Sequence, residues 1–406
     1  MTRICIIGAG FAGLVAAEQL QQAGCDVVVV EARDRVGGRV WSQRLEGGAL
    51  IERGAEFITE GYDATDALVA RLGLAYAGMG IRYPDRELRP DPGISRAEAL
   101  AAAAVVEAAA AAHPDEPALT LLERHVADPA IRELLASRTQ SARSYPIEGL
   151  TAASLRTVGH LLDDSETRRI RGGNQSLALA LAAALGDAVR LSEPVRSIRH
   201  SADAVEVVTD SGTILADACI VTVPVSVVLS IAFEPPLPSA TAEAIRAVPF
   251  GQAAKLAAPI AAPIEPNAIM SAPLRFWAYA TTSDEVGGRS VGSWAGAAPV
   301  VEALGADAGS STWIEQIQTL WPELPAIDEA NAVVTLWRRN EWTRGSYSAI
   351  GNVPADELHP TAAPVGRIHF AGEHTAPVGW TATMEGAIRS GQRVAVEIVD
   401  ALAGRR

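Results

Sequence analysis

The sequence predicts an α/β fold built on a parallel sheet, and three observations predict it. Arg3–Ile7 is a short apolar run ending in the glycine-rich turn Gly8-Ala9-Gly10-Phe11-Ala12-Gly13. Leu14, Ala17 and Leu20 then recur at helical spacing up to Gly24. Asp26 to Val30 is a continuous β-branched run, as a strand buried on both faces requires. Strand, tight turn, helix and strand in that order make a βαβ unit of Rossmann type.

A lone Gly-x-Gly-x-x-Gly says little. Here the motif follows a strand, opens a helix and is answered by Glu31 at the end of the next strand, 18 residues after Gly13. Gly8 allows the turn, Gly10 lets a pyrophosphate approach the backbone, Gly13 lets helix and strand pack closely, and Glu31 accepts hydrogen bonds from a ribose diol. A dinucleotide is the expected ligand. The stretch Glu31-Ala32-Arg33-Asp34-Arg35-Val36-Gly37-Gly38-Arg39-Val40 adds a second glycine pair and several guanidinium groups, and Gly54-Ala55-Glu56-Phe57 follows soon after.

Composition bounds the rest. A chain of 406 residues suggests two or three domains, and 49% apolar with 20% charged residues excludes a disordered protein. The formal charge of −14 offers no basic footprint for phosphates, which weighs against nucleic acid as a partner. Cys5, Cys25 and Cys219 are an odd number without CxxC spacing, in apolar strand-like surroundings, and read as buried thiols in a reducing compartment. His113, His125 and His160 are scattered, and no metal centre is expected. There is no apolar run of about 18 residues and no leader ahead of the first strand, so the expectation is a soluble, cytoplasmic protein without membrane attachment.

From about Met79 to Glu166 the sequence is alanine-rich and helical, the pattern of a packed helical layer. Arg171-Gly172-Gly173-Asn174-Gln175-Ser176-Leu177 opens another helix. Val195 to Ile198 and Val205 to Thr209 read as antiparallel strands, and Ala218 to Val223 as a strand ending at Pro224. Near the end, a strand over 367–370 leads into Ala371-Gly372-Glu373-His374-Thr375, then Gly379-Trp380-Thr381-Ala382-Thr383-Met384-Glu385-Gly386-Ala387, and a helix is expected from Ile388 to Leu402. Of 34 lysines and arginines only Lys255 is a lysine. A single lysine among arginines points to a position where arginine will not serve, because only an ammonium is compact and shifts its pKa readily.

The opening, Lys255 and the closing segment together resemble the flavin-containing amine oxidase family, which includes the monoamine and polyamine oxidases. The resemblance implies a Rossmann-type FAD-binding domain (1–78, 166–248 and 346–406) interleaved with a mixed α+β substrate-binding domain (79–165 and 249–345). It implies FAD contacts from Gly8, Gly10, Phe11, Ala12, Gly13, Glu31, Ala32 and Arg33. Gly37, Gly38, Arg39, Val40 and the segment Gly54, Ala55, Glu56 and Phe57 continue them along the flavin. Val195 would offer its backbone to the adenine. Val223, Pro224, Trp342, Gly372, Glu373, Thr381, Ala382, Thr383, Met384 and Ala387 complete the cofactor set.

The catalytic set implied is Lys255, Tyr347, Trp380 and Thr383, with Lys255 holding a water against the flavin N5. The family frames the amine between two aromatic rings. Tyr347 would be the first, but Thr383 stands at the second position, leaving Trp380, Trp342 or Trp277 to fill the gap. Ser346, in Arg344-Gly345-Ser346-Tyr347, replaces the cysteine that tethers the flavin in monoamine oxidases, so FAD should be non-covalent. Glu56 and Glu60 are candidates to face a second cation on a polyamine. The expected reaction is oxidation of an amine to an imine, with dioxygen or an electron carrier as acceptor and a possible homodimer as the assembly. A desaturase on a non-amine substrate and a flavin-binding protein without turnover are the alternatives.

Overall fold

The structure, a computed structural model, describes residues 1–45, 48–162, 166–281, 289–350, 359–377 and 379–403. Arg3–Ile7 is the middle strand of a five-stranded parallel sheet, in the order Ile368–Phe370, Ala218–Val221, Arg3–Ile7, Asp26–Val30, Val189–Arg190. The start, middle and end of the chain therefore lie side by side. Successive residues of a strand point to opposite faces, and both faces are covered. Ile4, Ile6, Val27 and Val29 pack against the helices Phe11–Gln22, Gln175–Leu185 and Met384–Ala403. Cys5, Ile7, Val28 and Val30 pack against an antiparallel layer that includes Val195–His200, Val205–Thr209 and Gly212–Ala216. This double burial is why the strands read as unbroken apolar runs. Cys5 and Cys219 face each other in register as free, fully buried thiols.

Two helices begin earlier than their periodicity suggested. The first starts at Phe11, because Phe11, Ala12 and Gly13 are all buried and show no polar face to mark the boundary. The last starts at Met384, four residues before Ile388, where the Thr383 hydroxyl accepts the Gly386 N–H at 2.9 Å and caps the first turn. Its Glu385 is fully buried and accepts the N–H groups of Ala64 and Thr65, both at 2.9 Å, so it also caps the helix Asp63–Arg71.

A second, six-stranded sheet runs in the order Val333–Leu336, Ala254–Pro259, Ser290–Ala295, Phe276–Thr281, Asn267–Ser271, Glu87–Arg89. One face holds a core around Trp313, Phe276 and Leu256 beneath the helix Ser311–Leu320. The alanine-rich region forms the helices Arg96–Ala112, Ala118–His125 and Pro129–Arg143, the first closed by a Ser95/Glu98 capping box and the third by Asp128. The expected boundary at 165/166 adjoins residues 163–165, which lie outside the described residues.

Candidate active site

A cavity of about 1140 Å³ runs from the carboxyl ends of the parallel strands to the open face of the six-stranded sheet. Pockets for small ligands span roughly 300–1,000 Å³, so this one has room for a dinucleotide and a second molecule. Gly8 turns the chain with φ +108°, in the left-handed region. A Cβ on Gly10 would meet nothing within 4 Å and would point into open cavity, whereas a Cβ on Gly13 would be driven into the Gly8 carbonyl oxygen. Gly10 is thus small for the sake of a ligand, and Gly13 for the sake of helix packing. Glu31 accepts the N–H of Ala9 at 2.9 Å and of Arg33 at 3.0 Å, and the Arg33 guanidinium reaches Asn340 Oδ1 at 2.9 Å.

Farther along, Arg39 Nη1 donates to Glu373 Oε1 and to the Ser346 carbonyl, both at 2.8 Å. Glu373 also accepts the Ser348 hydroxyl at 2.6 Å and the Ala382 N–H at 2.9 Å. Burial by itself would raise the Glu373 carboxyl, but Arg39 and the Ser348 hydroxyl help to outweigh it and hold it below the usual range. Burial pushes the neighbouring His374 down to about 4, so it is neutral. Ala382 sits at φ +67°, strained for a residue with a Cβ, and its N–H is held by Glu373 just ahead of the last helix.

The register of the second sheet builds the other end. Lys255 pairs with Trp294 and Trp294 with Trp277, so three side chains stand in one row across three strands and all line the cavity. Two residue pairs along, Gly292 lies opposite Tyr279, whose ring occupies the place a Cβ would take, and this lets the phenol reach Glu56. Lys255 Nζ donates to the Gly54 carbonyl at 3.1 Å and to Glu56, which also receives Arg169 and the Tyr279 hydroxyl. All four side chains are buried. Burial would raise Glu56, but Arg169 and Lys255 overcome it and its carboxyl stays below its ordinary value. Burial lowers Lys255 in spite of Glu56. An ammonium has three donors; two are spent on protein and the third is left for the cavity.

This corrects the expectation for Glu56. It does not face a substrate cation, because two buried cations already require its charge. Glu60 lines the cavity but is exposed at its rim. Thr383 also lines the cavity, but its hydroxyl is committed to the Trp380 carbonyl at 2.6 Å and to the helix cap. Tyr347 donates to the Ala142 carbonyl at 3.0 Å and lies parallel to Trp294, within 3°, at 6.1 Å between centroids. The second ring beside Tyr347 is therefore Trp294, which the sequence reading did not single out. Trp380 packs edge-on against Tyr62, and Trp277 sits in a cluster with Phe57, Tyr83 and Tyr279. Lys255, Tyr347, Trp380, Thr383 and every expected cofactor residue except Gly13 line this one cavity.

The family model for flavin-containing amine oxidoreductases matches residues 11–87 and 147–399. The chain belongs to that family. It is 30% identical to a Mycobacterium tuberculosis protein named as a flavin-containing monoamine oxidase, AofH, over 97% of this chain and 96% of that one. It is 29% identical to the putrescine oxidase of Kocuria rosea, over 98% and 95%. A solved structure of putrescine oxidase bound to putrescine superposes with a TM-score of 0.85 at 24% identity, covering 98% of this chain and 99% of that one, which shows the shared fold. The chain is accordingly a flavin-dependent oxidoreductase of the class acting on CH–NH or CH–NH2 groups. The open space at Gly10, the Glu31 carboxylate and the arginine-lined channel fit FAD. No cysteine lines the cavity and Ser346 stands at the tethering position, so the flavin is held non-covalently. Among the described residues no helix is long and apolar enough to cross a membrane.

Proposed function

We propose that the chain is an amine oxidase that converts an amine to an imine by transfer of a hydride from the α-carbon, the imine then being hydrolysed by water. When bound, the flavin supplies the hydride acceptor and passes the electrons to dioxygen, giving hydrogen peroxide. The observation that carries the reading is the buried Lys255. It has one donor left for a water at the junction of the dinucleotide channel and the aromatic chamber. Tyr347 and Trp294 present parallel rings that hold the substrate's alkyl or aryl part and limit its orientations. Such apolar walls favour the uncharged amine, so no side chain is needed as a general base. Met384 and Ala387 bring the first turn of the last helix to the cavity, where its N-terminal partial positive charge favours an electron-rich ring.

The test is an anaerobic stopped-flow screen of the yellow holoenzyme against monoamines, diamines and amino acids, followed by mixing with air. Bleaching by an amine, with hydrogen peroxide formed in step with reoxidation, is expected. A flavin that dithionite reduces but no amine bleaches overturns the reading. Lys255→Met should leave bleaching within a few-fold and slow reoxidation by roughly tenfold or more, as loss of one positioned polar group at a reacting centre does.

A further inference from the structure

Arg143 is the last residue of the helix Pro129–Arg143, and its side chain enters the wall of the cavity beside the aromatic chamber. It follows Ala142, whose carbonyl anchors the Tyr347 hydroxyl, and its guanidinium lies close enough to the Tyr347 phenol to feel its charge. Its only hydrogen bonds among the described residues are two long ones from Nη2, to the Ser154 carbonyl at 3.4 Å and the Thr157 hydroxyl at 3.5 Å. Among the described residues no carboxylate pairs with it. The groups that act on its charge are burial, which lowers its pKa, and the phenols of Tyr347 and Tyr83.

Of the other cations along the cavity, Arg344 is exposed and reaches the Ser230 hydroxyl, Arg196 pairs with Asp210, and the rest are compensated within the wall. Arg33 has Glu31, Arg39 has Glu373, and Lys255 has Glu56. Arg143 is half-buried and keeps most of its five N–H donors unspent where it lines the cavity, an arrangement that an anion satisfies best. A guanidinium binds carboxylates with two parallel hydrogen bonds. An ammonium at the same spot would be repelled, which disfavours a diamine threaded this way.

We infer that Arg143 recognises a carboxylate on the substrate, so that the amine oxidised carries an acid group in the manner of an amino acid. This rests on the amine oxidase reading of the same cavity. The first experiment is independent of turnover. Oxidised holoenzyme is titrated with 3-phenylpropionate and with 3-phenylpropanol, and binding is read from the perturbed visible spectrum of the flavin. Wild type should bind the carboxylate at least about tenfold more tightly than the alcohol, in line with a charge-assisted pair. Arg143→Gln should bring the two together, and Arg143→Lys should restore part of the preference. Equal affinity of the two probes for wild type, or an unchanged preference in Arg143→Gln, overturns the inference. If Arg143→Gln does not fold, the wild-type pair decides alone. Anaerobic reduction by phenylalanine and by phenethylamine then separates the two readings. Reduction by phenethylamine at least as fast as by phenylalanine counts against Arg143 as a carboxylate receptor. Reduction by neither, with the carboxylate preference intact, removes the oxidase reading and leaves the anion site standing.

Discussion

Glu56→Gln tests the buried charge network most directly. In the native cavity one carboxylate serves three donors, Lys255 Nζ, Arg169 Nη2 and the Tyr279 hydroxyl, with Glu56 3% exposed and Lys255 4% exposed. The amide keeps the shape and one acceptor oxygen but removes the charge, leaving two buried cations to repel each other. Breaking a buried ion pair from one side costs about 3–5 kcal/mol, and that is the loss expected in denaturant unfolding at pH 7.5. The pH dependence supplies a second check. A carboxyl held below its ordinary value contributes stability that is fully present above the usual carboxylate range, near pH 4–5, and is lost as pH falls through the depressed value. Wild type and variant should therefore converge in acid, where the wild-type carboxyl also becomes neutral. Lys255 works in the opposite direction. Without Glu56 to raise it, burial lowers its pKa further, and between the folded and unfolded values the unfolded state binds more protons. Part of the variant's loss should then be regained as pH rises and the amine sheds its proton. A difference under about 1 kcal/mol at pH 7.5, or one that does not shrink on acidification, would refute the assignment of Glu56 as the counter-charge.

Two further outcomes are expected. Gly10→Ala has an ordinary φ of −78° and open space around the new methyl, so thermal unfolding of the flavin-free protein should not change while the flavin absorbance per protein falls; Gly13→Ala forces a methyl into backbone and should destabilise the flavin-free fold by about 1–3 kcal/mol. Glu52, pushed up to about 7 mainly by burial, binds its proton more tightly folded than unfolded, so its contribution falls as pH rises from the ordinary carboxylate range toward 7; Glu52→Gln should exceed wild type in stability at pH 8 by up to about 3 kcal/mol and match it at pH 5, as read by unfolding midpoints.

What could be read from the sequence was local. The Gly8–Gly13 turn, Glu31 at the end of its strand, and the Gly372–Ala387 closing segment each announce themselves within a dozen residues, because backbone geometry and chain order alone put them at the ends of parallel strands. The aromatic chamber was not local. Trp294 reaches Tyr347 only because Ser290–Ala295 pairs in one register with Ala254–Pro259 and in another with Phe276–Thr281. The last of these strands is buried throughout, so no polar alternation marks which residues face the cavity. Glu56 was visible as a residue beside the flavin segment, but its partner Arg169 lies on Arg168–Ile170, over a hundred positions away in a run with no distinctive pattern. Arg143 was hidden for the same reason, as one arginine among 33 in a helix whose end happens to meet a cavity.

The pairing of charges explains why a lysine is found at position 255 when every other side-chain cation of its kind is arginine. The pocket around it offers the Gly54 carbonyl and one oxygen of Glu56, the other oxygen being taken by Arg169. A guanidinium would bring five donors in a rigid plane to two acceptors and would remain charged whatever the pH. An ammonium meets both acceptors and keeps a single donor for water. Because burial already lowers its pKa, it can also give up its proton at a cost that arginine cannot match. At the flavin end of the cavity Arg33, Arg39 and Lys255 each meet a carboxylate, Lys255 sharing Glu56 with Arg169. A neutral amine is favoured there, and the uncompensated charge of Arg143 lies where the rest of the substrate must extend.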